Sequence, residues 1–112
     1  MPQSSLSTRV RWETLRSINS ATFTGAYQAI GTPLAHDAFL IKIVNNSTSL
    51  VTISIDGATL VDVVPSGGFF LYDERTNASR VDGQTIPKGT QFYVVGAAGV
   101  GFVYLVAQYT GD

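Results

Sequence analysis

The single histidine of the chain, His36, is the first residue whose type could support catalysis. It is followed directly by Asp37, and a histidine that a carboxylate orients can act as the general base of a hydrolase. Adjacent residues on an extended chain point to opposite sides, so Asp37 is poorly placed to orient the ring. We therefore expect His36 to be a loop residue ahead of a strand, and we assign no catalytic residue to this chain.

The carboxylates are the next candidates for chemistry. Glycosidic hydrolysis needs two carboxylates that face one cleft, and a calcium site needs clustered oxygen ligands. Asp56 has a sufficient role in a turn, while Asp73 and Glu74 resemble a strand end that enters a loop. A calcium site made of Asp73, Glu74 and Asp82 would lack the EF-hand spacing. We therefore predict that the chain binds no metal and no cofactor.

The glycine-rich segment 96–101 resembles a phosphate-binding loop at first sight. It reads G-x-x-G-x-G and precedes a strand pattern. A dinucleotide fingerprint reads G-x-G-x-x-G and opens a helix. We therefore predict a hairpin connection in which two backbone segments approach closely.

A basic segment near the start of the sequence carries arginines and the only tryptophan, Trp12. Three arginines set against one glutamate are a weak electrostatic footprint, so this segment does not favour nucleic acid as a partner. It is more typical of ion pairs and apolar contacts to a neighbouring protein. Tyr109 is a further candidate contact residue, because a tyrosine can keep its hydroxyl in water while its ring packs against another surface. The predicted protein-contact residues are Arg9, Arg11, Trp12, Arg16 and Tyr109.

Composition restricts the class of protein further. The 112 residues are 45% hydrophobic, carry a net charge of −1 and include no cysteine. This excludes disulfides and thiolate metal sites, and it argues against a disordered chain or a general polyanion binder. The first residues show neither a basic nor an apolar signal region, and no apolar run approaches bilayer-spanning length. We therefore expect no signal peptide and no membrane partner.

From residue 21 onward the pattern is typical of β-strands, since Val, Ile and Thr alternate with polar residues between turn formers. No segment shows a helical stripe. Seven or eight short strands with regular turns predict an all-β fold, a single β-sandwich or jelly-roll-like domain. The predicted strands lie near 22–29, 38–45, 49–55, 59–64, 68–73, 90–95 and 100–109, with a short one near 79–86.

Three local predictions can be compared directly with a structure. The turn formers of 45–48 should separate the strands near 38–45 and 49–55. The strand near 100–109 is apolar on both faces, so it should be central or covered by another subunit. Asp56-Gly57 predicts a hairpin. A two-residue loop would pair Val51 with Asp62; we favour a three-residue loop, which pairs Val51 with Val63.

We divide the chain into residues 1–20, an N-terminal arm or an edge strand, and residues 21–112, the β-sandwich domain. Both alternatives for the first segment stay open, because its alternating pattern fits a strand and its charge fits an arm that orders on a neighbouring subunit.

Most of the chain resembles a family of small bacteriophage virion proteins encoded among head and connector genes. The segments that carry the resemblance are 17–34, 39–46, 52–57, 65–71 and 86–94. Members of that family are structural, so the resemblance implies a role in the virion, assembled in the host cytoplasm.

These observations predict a non-enzymatic virion structural protein that associates with copies of itself and docks on the capsid shell as a decoration or cement protein. Its partners would be the major capsid or connector proteins. One alternative is a component of the head–tail connector, neck or tail ring. A second alternative is a carbohydrate-binding module used in host adsorption.

Overall fold

The computed structural model describes residues 10–73 and 86–110. Within these ranges the chain forms nine strands and one short 3-10 turn, Ser20–Thr22. The strands are β1 Val10–Trp12, β2 Arg16–Asn19, β3 Gln28–Ala29, β4 Leu40–Ser47, β5 Val51–Ser54, β6 Leu60–Val64, β7 Phe69–Asp73, β8 Tyr93–Val95 and β9 Gly101–Thr110. The predicted all-β fold is confirmed.

The strands form two antiparallel sheets that enclose one core. In the first sheet β1 and β2 both pair with one side of β9, β4 pairs with its other side, and β7 lies beyond β4. The second sheet has the order β3-β8-β5-β6. The strand predicted near 100–109 is central, as expected from its two apolar faces.

Along β4 and most of β9, every second residue is buried and contributes to the core. Ile41 and Ile43 on β4 are fully buried, and so is Val103 on β9, while the residues between them face outward. Each sheet therefore contributes every second residue to a shared interior, as two packed sheets require. The remaining fully enclosed apolar residues include Ile30, Val51, Ile53, Val64 and Val94.

The strand predicted near 22–29 is mostly absent. Asn19 caps the 3-10 turn by accepting a hydrogen bond from the Ala21 backbone N–H, and only Gln28–Ala29 pair as a strand. The polar side chain offered the backbone a local alternative to pairing. The short strand predicted near 79–86 lies largely outside the described residues, although Ile86 forms an isolated bridge with Ala38.

The predicted turn at 45–48 begins too early. β4 continues through Asn45 to Ser47, and Asn45 is fully buried. Its side-chain amide donates to the Ser49 and Val64 carbonyls at 2.7 and 3.0 Å. A turn-forming residue can lie inside a strand when its polar atoms are satisfied in this way.

The favoured hairpin register holds only next to the loop, where Ser54 pairs with Leu60, and it is wrong beyond that pair. Val51 pairs with Val64, and the register shifts between Ile53 and Ser54, because β6 carries a bulge. Asp56 instead closes a longer loop, where its carboxylate accepts from the Thr59 and Ala58 N–H groups. These bonds and the Ser54 hydroxyl hold the pKa of Asp56 well below its usual range.

Segment 96–101 connects β8 of the second sheet to β9 of the first sheet, so the predicted hairpin is wrong but the predicted close approach is confirmed. Gly101 has φ +101°, and a side chain there would collide with the Asn46 carbonyl oxygen. Only glycine combines this backbone conformation with this contact.

Candidate functional site: a polar cluster at the edge of the first sheet

The site lies where β1 passes into β2 at the edge of the first sheet. The Glu13 N–H still donates to the Ala107 carbonyl of β9 at 3.0 Å, whereas residues 14 and 15 leave the sheet and are exposed. The loop of residues 31–37 crosses beside this connection. Three segments that are distant in the sequence therefore meet at one place, and the side chains that hold them together form a polar cluster.

Arg16 is the centre of the cluster. Only 8% of its side chain is exposed. Its Nε donates to the Thr32 carbonyl at 2.7 Å, and one terminal nitrogen donates to the Pro33 carbonyl at 2.9 Å and to Glu13 at 2.8 Å. Charge-assisted bonds of this kind are stronger than neutral ones, so Arg16 ties the loop to the sheet edge.

Gly31 makes this arrangement possible. Its φ is +70°, and a Cβ at this position would lie 2.6 Å from Cγ of Arg16. The aliphatic part of the arginine therefore lies directly on the glycine backbone. Any side chain here would meet both a strained conformation and a steric collision.

Glu13 is the acceptor that completes the cluster, with 3% of its side chain exposed. It accepts from the Ala35 N–H at 3.1 Å and lies 3.0 Å from Nδ1 of His36. Burial alone would raise the pKa of Glu13, but the hydrogen bonds from Ala35, Arg16 and His36 outweigh it and hold that pKa below its ordinary value. An ionised carboxylate only accepts, so Nδ1 of His36 carries a proton.

His36 is thus oriented by a carboxylate, but by Glu13 and not by its neighbour Asp37. Asp37 accepts from the Lys88 N–H at 2.7 Å instead. The imidazole stacks on Tyr109 with ring centroids 3.7 Å apart and planes 4° apart. Within residues 10–73 and 86–110, no hydroxyl is hydrogen-bonded to the other ring nitrogen of His36, so the pair has no nucleophile in place there.

An open groove of about 550 Å³ runs along the cluster. Trp12, 63% exposed, and the exposed Leu15 form its apolar part. Thr14, Ser17 and Thr32 contribute hydroxyls to its lining. A second hollow of about 440 Å³ is lined by His36, Asp37 and Lys88. The large apolar side chain of Trp12 is thus exposed on a backbone that the buried hydrogen bonds of Arg16 and Glu13 hold in place.

The structure brings together four of the five predicted contact residues. Trp12, Arg16 and Tyr109 line the groove, and Arg11 is opposite Tyr109 in the β1–β9 register. Arg9 lies outside the described residues. Arg16 is committed to internal bonds, so the outward contact falls to Trp12. Residues 10–12 and 16–19 lie as strands against β9, and the boundary at residue 20 stays a prediction.

Sequence reasoning missed the roles of Glu13 and His36. The spacing of Glu13 and Arg16 was a usable signal, because residues three apart can pair across a short bend in the chain. Nothing in the sequence linked Glu13 or Arg16 to His36.

A metal site is not supported by the part of the chain that is described. No group of three or more His, Asp or Glu side chains that could hold an ion occurs there. Asp73 ends β7, whereas Glu74 and Asp82 of the calcium hypothesis lie outside the described residues. Nor do the described residues include a helix with the length and apolarity needed to cross a membrane.

Comparison with known proteins gives little context. No protein-family model and no curated protein matches the sequence. A solved structure of Bacillus endospore appendages, described as a novel family of disulfide-linked pili, is similar to this chain at a TM-score of 0.47. The identity is 12%, over 92% of this chain and 89% of that one. Neither value places the two chains in one family, and this chain has no cysteine with which to form a disulfide.

Proposed function

We propose that this chain is a non-enzymatic structural protein of a bacteriophage virion, which docks on the capsid shell as a decoration or cement protein and associates with copies of itself. The resemblance of its turn and strand motifs to small virion proteins supports the virion role. The observation that carries docking is Trp12, which is 63% exposed beside the clamped connection between β1 and β2.

The physical argument rests on preorganisation. Contact residues that cost about 2 kcal/mol or more on truncation are enriched in tryptophan. A contact residue that is already held in place loses little conformational freedom on binding. The bonds from Arg16 to Glu13 and to the Thr32 carbonyl fix the backbone beside Trp12 and Leu15. These two side chains are therefore the proposed docking element.

The test measures binding of the purified protein to particles that lack it. Trp12→Ala should weaken binding by about 30-fold, which corresponds to about 2 kcal/mol. Val100→Ala is the matched control, since Val100 is also exposed but lies at another end of the fold. Equal binding by Trp12→Ala and the wild type would refute the docking element. Deleting residues 1–18 is unsuitable, because it would remove β1 and most of β2 from β9.

A position in the head–tail connector, neck or tail ring is the alternative within the same role. Electron microscopy of particles that carry the labelled protein distinguishes the positions. Label over the whole shell supports decoration, and label confined to one vertex supports the connector alternative.

A carbohydrate-binding module is the second candidate, and the groove favours it. Trp12 and the stacked pair His36–Tyr109 provide aromatic surfaces beside hydroxyls. The isolated protein should then bind immobilised glycans, and Trp12→Ala should abolish that binding. Binding to particles without any glycan binding would leave only the structural role.

A further inference from the structure

The outer face of the first sheet is unusual for a sheet exposed to water. The outward positions of β4, β7 and β9 should be mainly polar in an antiparallel sheet with one wet face. Here most of them are apolar. The apolar members are Leu40, Val44, Phe69, Leu71, Phe102, Tyr104 and Val106, which we call the outer face.

Several of these side chains are strongly exposed. Phe69 is 64% exposed and Phe102 is 41% exposed, and Leu71 is exposed as well. Phe102 and Tyr104 stack with centroids 6.1 Å apart, which makes one continuous aromatic surface. The charged residues in outward register on β4 and β7 are Lys42 and Asp73, of opposite sign. A patch of this kind marks a surface that another molecule covers.

We propose that the outer face packs on the outer face of a second copy of this chain, forming a two-fold symmetric dimer in which two first sheets lie face to face. This inference rests on the proposed function, since it names the surface used for self-association.

The strand register makes the face complementary to itself. One row across the sheet reads Ser17, Tyr104, Val44 and Phe69, from β2 to β7. A two-fold axis parallel to the strands, between β9 and β4, reverses this order in the partner. Tyr104 then faces the smaller Val44, and Phe69 faces Ser17. Large side chains thus meet small ones, as close packing requires.

A second row supports the same axis. It places Phe102 between Asn19 on β2 and Asn46 on β4. After the two-fold rotation Phe102 faces Asn46, which is exposed. The axis passes through the middle of the face, so both copies use all of it. Such an isologous contact closes after two subunits and does not continue into a fibre.

The size of the face agrees with this occupant. Four strands spaced about 4.8 Å apart and about four outward rows give a face of roughly 20 by 27 Å, or about 500 Å² in projection. Because side chains protrude from this plane, the accessible area of the face exceeds its projected area and approaches the approximately 800 Å² per partner of a standard interface.

The first test measures the mass of the whole chain by sedimentation over a range of concentrations. The wild type should form dimers, and Phe69→Lys should raise the dimer dissociation constant at least 10-fold. Leu60→Lys is the control, because it adds the same charge at an exposed position on β6 of the second sheet. Circular dichroism checks that both variants fold. A monomeric wild type, or a dimer that Phe69→Lys leaves unchanged, overturns the proposal.

The second test addresses the geometry. Because the chain has no cysteine, Ser17→Cys and Phe69→Cys each introduce a single thiol. A short bismaleimide should cross-link the two variants to each other more than it links Phe69→Cys to itself. The reverse preference overturns the two-fold arrangement.

Particle binding separates the two proposals. Ser17 lines the groove beside Trp12 and also lies in the outward register of the first sheet, so a dimer could cover the docking element. Dimers of the wild type, together with a folded Phe69→Lys variant that does not bind particles, would refute only the proposed docking. A monomeric protein whose particle binding is lost in Phe69→Lys would show that another virion protein covers the face, and this would refute the dimer.

Discussion

The carboxylate of Glu13 lies 2.8 Å from the guanidinium of Arg16, and both side chains are almost entirely enclosed. The pair does not lie along a regular strand. It spans the point where the chain leaves the sheet between β1 and β2, and it also binds the loop that carries His36. The edge of the first sheet is therefore held by this ion pair and its hydrogen bonds in addition to the pairing of β1 and β2 with β9.

Glu13→Gln should destabilise the fold by about 3 kcal/mol, because it leaves the buried Arg16 charge without its counterion. Urea unfolding monitored by circular dichroism measures this change. Asp62→Asn is the control, since Asp62 is an exposed carboxylate on β6 and its change should cost under about 0.5 kcal/mol. A similar loss for both variants would contradict the role of the ion pair.

The contribution of Glu13 should depend on pH. Its pKa is lowered in the folded state, so its stabilisation is complete above the unfolded pKa of about 4.3 and is lost as the pH falls through the folded value. The difference in unfolding free energy between wild type and Glu13→Gln should therefore be constant near neutral pH and shrink below about pH 4. A difference that grows under acidic conditions would show that the pKa shift has the opposite sign.

Gly31→Ala should cost about 2 kcal/mol or more, because it adds a collision with the Arg16 side chain to the strain of a positive φ. Gly25→Ala separates the two effects, since Gly25 also has a positive φ, of +87°, but open space around it. We expect thermal unfolding to show the larger loss for Gly31→Ala. Equal losses would mean that backbone strain alone matters and that Arg16 moves aside.

Asn45→Ala should destabilise the fold by about 2–3 kcal/mol, because the Ser49 and Val64 carbonyls lose their donors in the interior. Asn46→Ala changes the exposed neighbour on the same strand and should have little effect. Equilibrium unfolding of the two variants provides the comparison. A small effect at Asn45 would indicate that water replaces the amide.

The sequence predicted well those features that depend on alternation. The strands around Ile41 and Ile53 follow directly from apolar residues at every second position, and the two apolar faces of β9 required a central place. The hairpin register was not predictable from the length of the loop, because a bulge on β6 shifts the pairing of β5 with β6 by one residue.

The candidate site was only partly predictable. Trp12 and Arg16 were recognised from their types, but residue type alone does not reveal which side chain is enclosed. Arg16 looked like a surface contact and is a buried structural residue. His36 meets Glu13 and Tyr109 only because the loop of residues 31–37 crosses the edge of the first sheet. Contacts between loops at such separations depend on the completed fold.

The central place of β9 also has a consequence for how the protein is made. Val10 pairs with Thr110, Arg16 with Leu105 and Ile43 with that same Leu105. During synthesis, the strands at the beginning and middle of the chain leave the ribosome before the strand that joins them exists. We therefore expect the first sheet to form late and folding to be slow, as in other proteins dominated by distant pairings. Until then the nascent chain exposes apolar strands, which makes it a natural substrate for chaperones.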